Sequence, residues 1–190
     1  MDKLEEKTAF VSLQTGIGDM PFGKDEYLTE RDAGRKREAL NFFQRAYEAQ
    51  MDGNLDEAAD WYKQSIEIYP TAEAHTFLGW TYSFMGMPDE AIEECHQAIA
   101  VDPDFGNPYN DIGAYLIDQG DLRNAIDWLE KAKQARRYEP VFYPYFNLGR
   151  VYQTQGKLFE ALNEYKTAID LNPNYKLAIK AFRTVQSKLN

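Results

Sequence analysis

Cys95 and His96 stand side by side in a chain with one cysteine and two histidines. A thiol next to an imidazole is the pairing of a cysteine nucleophile with its base. On a helix, however, adjacent residues point apart, so these two do not form that pair. The other histidine is His75, and the Cys/His spacings that hold zinc are absent. "TGIGDMPFGK" has the glycines of a phosphate loop without its lysine-serine ending at the required interval. Carboxylates are plentiful but scattered along polar faces. The expectation is a protein that is not an enzyme, with no cofactor and no metal site. One cluster remains, "EKAKQARRYEP". Lys131, Lys133, Arg136 and Arg137 crowd into about a turn and a half before Pro140. Two readings compete. Arg136 and Arg137 form a secondary basic patch for an acidic partner, or the cations only mark a helix end, where the macrodipole favours them.

The elements that must carry these residues begin with bulk composition. The 190 residues are 44% hydrophobic, far above the level at which a chain stays unfolded. A formal net charge of −10 argues against nucleic acid and against an anionic membrane surface as partners. "MDKLEEKTAF" carries mixed charges with no apolar stretch behind it, and the longest apolar runs are too short to cross a bilayer. A cytoplasmic protein without membrane insertion is expected; a single cysteine fits a reducing compartment.

Four segments repeat. Ala58, Ala91, Ala125 and Ala161 recur at steps of 33, 34 and 36 residues, and Gly53, Gly86, Gly120 and Gly156 precede them in step. Upstream of each later glycine, as in "HTFLGWTYSFMG", apolar residues recur at three and four, the helical period. Each segment therefore reads as helix, glycine turn, second helix, and a stop near proline. Pro108 and Pro144 suit the first turn of a first helix, with Asn107 as N-cap. Thr29 is the N-cap expected for a helix that enters the first segment, with Glu30 and Asp32 in its first turn.

These residues resemble the tetratricopeptide repeat. Leu78-Gly79, Tyr82, Gly86, Ala91, Ala98 and Pro103 match its pattern, as do Leu148-Gly149, Tyr152, Gly156, Ala161, Tyr165, Ala168 and Pro173. Ile112-Gly113, Gly120, Ala125 and Ala132 match in the third segment; the first keeps Ala46, Gly53, Ala58, Tyr62 and Pro70, with Arg45 where Leu is usual. The resemblance implies an all-α fold of antiparallel helix pairs stacked as a right-handed superhelix (an α-solenoid) with a concave groove. The expected organisation is an irregular arm over 1–28, four units within 29–173 (about 39–71, 72–105, 106–141 and 142–173), and a cap helix over 174–190. Leu177, Ile179, Phe182 and Val185 would be the cap's apolar side.

The family's groove positions fall here on Phe43, Tyr47, Thr76, Trp80, Phe84, Asn107, Asn110, Tyr143, Phe146, Arg150 and Gln153. Exposed aromatics in a concave surface mark a binding site. Carboxamides donate to and accept from a peptide backbone, and Arg150 suits a carboxylate. The carboxylate clamp of tetratricopeptide co-chaperones is absent: its places hold Phe43, Tyr47, Phe77, Asn107 and Asp111, or, shifted by one unit, Thr76, Trp80, Asp111, Tyr143 and Asn147. The resemblance implies a non-catalytic adaptor or scaffold that binds a protein or peptide, extended or helical. The alternatives are an acidic secretion-type chaperone and a regulatory subunit docked on an enzyme. The arm is expected to dock along the array or to mediate self-association.

Overall fold

The computed structural model describes residues 29–138 and 140–189. The chain divides into two compact units, Met1–Gly34 and Arg35–Asn190. The arm expected over 1–28, with its docking and self-association, lies outside the described residues. Within the first unit, the Thr29 hydroxyl accepts the Asp32 N–H at 3.2 Å and donates to the Asp32 carboxylate at 2.6 Å. That is the N-cap expected from the sequence, and the helix begins at Glu30.

Among the described residues there are nine helices and no strand. They are α1 (Glu30–Met51), α2 (Leu55–Ile68), α3 (Ala72–Phe84), α4 (Pro88–Val101), α5 (Asn107–Gln119), α6 (Leu122–Gln134), α7 (Tyr143–Thr154), α8 (Leu158–Leu171) and α9 (Lys176–Gln186). The glycines at the turns inside the pairs, Gly53, Gly86, Gly120 and Gly156, hold φ of 83°, 79°, 85° and 74°. A Cβ is strained in that left-handed region, which is why glycine recurs there.

Each second helix buries the same stripe. Ala58, Ala91, Ala125 and Ala161 are fully buried; one turn on, Tyr62, Cys95, Leu129 and Tyr165 are no more than 1% exposed. The next turn adds Ala98, Ala132 and Ala168, with Ser65 in their place in α2. The Ser65 hydroxyl is satisfied by donating to the Ala39 carbonyl at 2.8 Å. The first helices approach these stripes at glycine. A Cβ built on Gly149 would lie 2.4 Å from the Tyr165 ring. Tyr165 is buried and cannot retreat, so Gly149→Ala should cost about 1–3 kcal/mol of stability. Urea unfolding checks this; a cost below about 0.5 kcal/mol, the level of an ordinary surface change, would refute the close approach.

α9 closes the end of the array on α8. Its deepest residues are Ala178 and Val185, with Ala181 and Phe182 packed beside them. Leu177 and Ile179, expected on this side, are half-buried. The three-four-seven spacing from Ala178 sets the stripe instead. Among the described residues no helix is long and apolar enough to cross a membrane.

The basic stretch does not lie wholly on a helix. α6 ends at Gln134, so Lys131 and Lys133 are in its last turn while Arg136 and Arg137 lie beyond it. The longer step of 36 residues from Ala125 to Ala161 is therefore not a longer helix. The α6–α7 loop pairs with the α4–α5 loop: the Arg137 N–H donates to the Asp104 carbonyl at 2.9 Å, and the Gly106 N–H to the Arg137 carbonyl at 2.9 Å. Gly106, not Asn107, is the N-cap of α5. Glycine is required there because a Cβ would meet Tyr138 at 2.4 Å.

Candidate functional site

First helices of neighbouring pairs touch along one face of the array; α5 and α7, for example, are in direct contact. One rule governs these joints. The residue two places before Gly79, Gly113 or Gly149 faces the preceding first helix. Phe77 packs its ring against Phe43 at 5.1 Å and Tyr47 at 6.0 Å. Asp111 accepts the Trp80 indole N–H at 2.6 Å. The Asn147 side-chain amide donates to the Asn110 side-chain oxygen at 3.0 Å. The joint is thus aromatic between α1 and α3 and polar from α3 onward.

The polar joints connect into a ladder. Asn110 donates to the second Asp111 oxygen at 3.3 Å, and Arg150 donates to Asn147 at 3.2 Å and to Asp118 at 2.8 Å. Trp80, Asp111, Asn110, Asn147, Arg150 and Asp118 therefore form one hydrogen-bonded series across three helices. Shielding from water pushes the Asp111 carboxyl from 3.8 up to about 7, although the hydrogen bonds from Trp80 and Asn110 favour its charged form. Its titratable neighbours are the Cys95 thiol and the phenols of Tyr115, Tyr138 and Tyr143. All four are neutral near pH 7, so none compensates the charge. Burial, followed by the Asp111 charge, raises the Tyr138 phenol and lifts Tyr143 to about 12. Tyr138 is 6% exposed, and its hydroxyl, like the Asn107 side-chain oxygen, has no hydrogen-bond partner.

The residues expected on the groove divide into four groups. Phe43 and Thr76 are buried: Phe43 packs edge-on against Tyr62 at 5.3 Å, and the Thr76 hydroxyl donates to the Ala72 carbonyl. They occupy equivalent repeat positions, and in the first two pairs that position turns into the joint. Trp80, Asn110 and Arg150 belong to the ladder. Gln153 is held by the Tyr165 hydroxyl at 2.9 Å, as Gln50 is held by Tyr62 at 2.8 Å. Tyr47, Asn107, Tyr143 and Phe146 are half-buried and Phe84 is exposed. Tyr143 and Phe146 pack on Tyr175 at 5.5 and 5.1 Å. Asp111 and Asn147 belong to the ladder but are not among the residues expected on the groove. Both stood in the places tested for a carboxylate clamp, and a search for their partners one step back along the array would have found them.

Arg136 and Arg137 do not form one patch. Arg137 turns inward, donating to Glu73 at 2.7 Å and to Asp102 at 2.9 and 2.6 Å, over the Phe105 ring at 4.1 Å. Arg136 is 85% exposed. Lys133 is held between Glu130 and Glu164. Cys95 is buried and burial pushes its thiol well up, the opposite of an activated nucleophile.

The tetratricopeptide repeat profiles match residues 72–105, 107–138 and 142–175. The chain belongs to the tetratricopeptide repeat family. As in that family, its helix pairs stack into a right-handed superhelix, a protein-interaction scaffold whose repeats are generally non-catalytic. Among its relatives are a UDP-N-acetylglucosamine–peptide N-acetylglucosaminyltransferase of Giardia intestinalis, 26% identical over 78% of this chain and 11% of that protein, and the human protein O-mannosyl-transferase TMTC1, 26% identical over 85% of this chain and 18% of that protein. The array thus spans less than a fifth of either relative. The solved structure of Pseudomonas aeruginosa pilF matches with a TM-score of 0.76 at 25% identity, over 82% of this chain and 70% of that one. YrrB, described as a TPR protein with an unusual peptide-binding site, matches with a TM-score of 0.62 at 18% identity, over 76% of this chain and 74% of that one. That second likeness concerns the fold alone.

Proposed function

We propose that the face formed by α3, α5 and α7 holds an extended peptide segment of a protein partner, and that the protein is a cytoplasmic, non-catalytic adaptor. The observation that carries this reading is the polar ladder. Six side chains from three successive helices are held in fixed geometry, with the rings of Tyr143 and Phe146 beside them. Asn110 and Asn147, 7% and 6% exposed, brace the ladder from within, and the more open Trp80 and Arg150 are the groups offered to the peptide, so little side-chain entropy is lost on binding. That tetratricopeptide proteins bind peptide or protein partners supports the same reading.

The test is affinity capture from the native host with the intact chain and with Asn147→Ala and Arg150→Ala. Each substitution removes one link of the ladder and should weaken the captured partner about tenfold, the equivalent of one charge-assisted hydrogen bond. Circular dichroism controls for folding. Undiminished capture by both folded variants would remove the ladder from the binding site.

A further inference from the structure

Away from the inner face, the α4–α5 and α6–α7 loops and the helices beside them line an open cleft of about 410 Å³. That volume falls within the usual range for ligand sites, about 300–1,000 Å³. The cleft exists because of the loop pairing. Phe105 and Arg137 form a bridge of extended backbone, and successive residues in extended backbone point to opposite sides. Arg137 is therefore directed into its carboxylates, and Arg136 is left on the rim of the cleft.

The walls are aromatic and aliphatic. Trp128 meets the edge of His96 at 5.3 Å and the Tyr109 ring at 6.0 Å, and Ile99 lines the same cleft. The Tyr109 hydroxyl is used, donating to the Pro103 carbonyl at 3.0 Å, so this residue offers its ring. The rim is cationic. Lys131 Nζ stands 4.0 Å over the Trp128 ring. Arg136 reaches Asp104 only at 4.0 Å, the outer limit of an ion pair, and both side chains are mostly in solvent. A pair of that kind contributes little and exchanges readily for another carboxylate.

We propose that this cleft is a second binding site, separate from the inner face, for an acidic peptide segment that carries one apolar side chain. The apolar side chain lies against Trp128, Tyr109 and Ile99; flanking carboxylates engage Lys131 and Arg136. The fork of Arg136 takes a carboxylate through two parallel hydrogen bonds. Nucleic acid fits less well, because the chain's net charge of −10 opposes a long polyanion.

The probe is a short dye-labelled peptide with one phenylalanine between glutamates, followed by fluorescence anisotropy on the full chain. The indole N–H resonances of Trp128 and Trp80 report its location. The glutamate peptide should shift Trp128 and leave Trp80 in place, and added salt should weaken it. Lys131→Glu with Arg136→Glu should weaken it at least about tenfold. If the double variant does not fold, Arg136→Gln alone should weaken it about threefold. Asn147→Ala, which breaks the inner ladder, should leave this affinity unchanged, so the two sites fail independently. The proposal is overturned by any of these results: no saturable binding at millimolar peptide, equal binding of a lysine-flanked peptide, a shift at Trp80 alone, unchanged affinity in the folded variants, or an oligothymidylate that binds more tightly than the peptide.

Discussion

Arg137→Ala should cost about 3 kcal/mol of stability, well above the effect of an ordinary surface arginine. Glu73 is the reason. Its side chain is 7% exposed in the first turn of α3, and Arg137 Nη1 is 2.7 Å from it. Removing the guanidinium strands a buried carboxylate and releases Asp102, which stands 2.6 Å from Nη2. The helix N-terminus offsets part of that charge, which is why the lower end of the buried-pair range is expected. Arg137→Lys should recover only part of the loss, because an ammonium cannot reach both carboxylates as a fork. For a chain of this size, 3 kcal/mol corresponds to a fall in Tm of about 6–12 °C. In a repeat array each pair leans on its neighbours, so the loss should be local. Hydrogen exchange should quicken first in α3 and at the two paired loops. Replacing both partners, Glu73→Gln with Arg137→Met, should restore much of the stability, since no charge is then left buried. A loss below about 1 kcal/mol for Arg137→Ala would reclassify the cluster as a surface ion pair.

Asp111→Asn should flatten the pH dependence of stability between about pH 4 and pH 7. In the folded chain the Asp111 carboxyl is raised to about 7 from 3.8. A raised acid pKa means that the folded chain keeps a proton that the unfolded chain has released. The stabilising contribution is fully present below the unfolded value and is lost as pH rises through the folded one. Stability attributable to this group therefore falls between about pH 4 and 7 and is constant above. The separation of the two values sets a ceiling of about 4 kcal/mol. Asparagine keeps an oxygen for the Trp80 indole and carries no charge, so above pH 7 the variant should be the more stable form. Below pH 4 the two should coincide. Other carboxylates add slopes of their own, so the informative quantity is the difference between the two chains, from urea unfolding at a series of pH values. A constant difference across the range would show that Asp111 is charged throughout.

The helix pairs were legible because their determinants lie within one segment. An alanine, a bulky residue a turn later and a small residue a turn after that describe one stripe of one helix. Ala125, Leu129 and Ala132 are buried as that pattern requires. The turn glycines follow from a single backbone angle. The same locality explains why Thr29 was identified as a cap: its partner is three residues away.

The site was less legible because it lies at joints between pairs. Trp80, Asn110 and Arg150 are expected on the groove from their repeat positions, but the partners that join them into the ladder, Asp111 and Asn147, stand 31, 37 and 3 residues away on a helix packed alongside or on the same turn. Phe43 and Thr76 share a repeat position with Asn110, and whether that position faces a ligand or a neighbour depends on how closely the first helices stack. No periodicity within one helix encodes that distance.

By itself the sequence determined the repeat, its period, the glycine turns, the buried stripe and the longer step of 36 residues from Ala125 to Ala161, because each depends on residues that are neighbours along the chain. Tertiary structure alone decided how the four cations of "EKAKQARRYEP" are used. Lys131 covers Trp128, Lys133 joins α6 to α8 through Glu164, the half-buried Arg137 pairs with the buried Glu73, and Arg136 faces solvent. The physical reason is one pair of backbone hydrogen bonds between Arg137 and the loop before α5. Extended backbone alternates its side chains, so that distant contact separated two adjacent arginines that are chemically identical in the sequence.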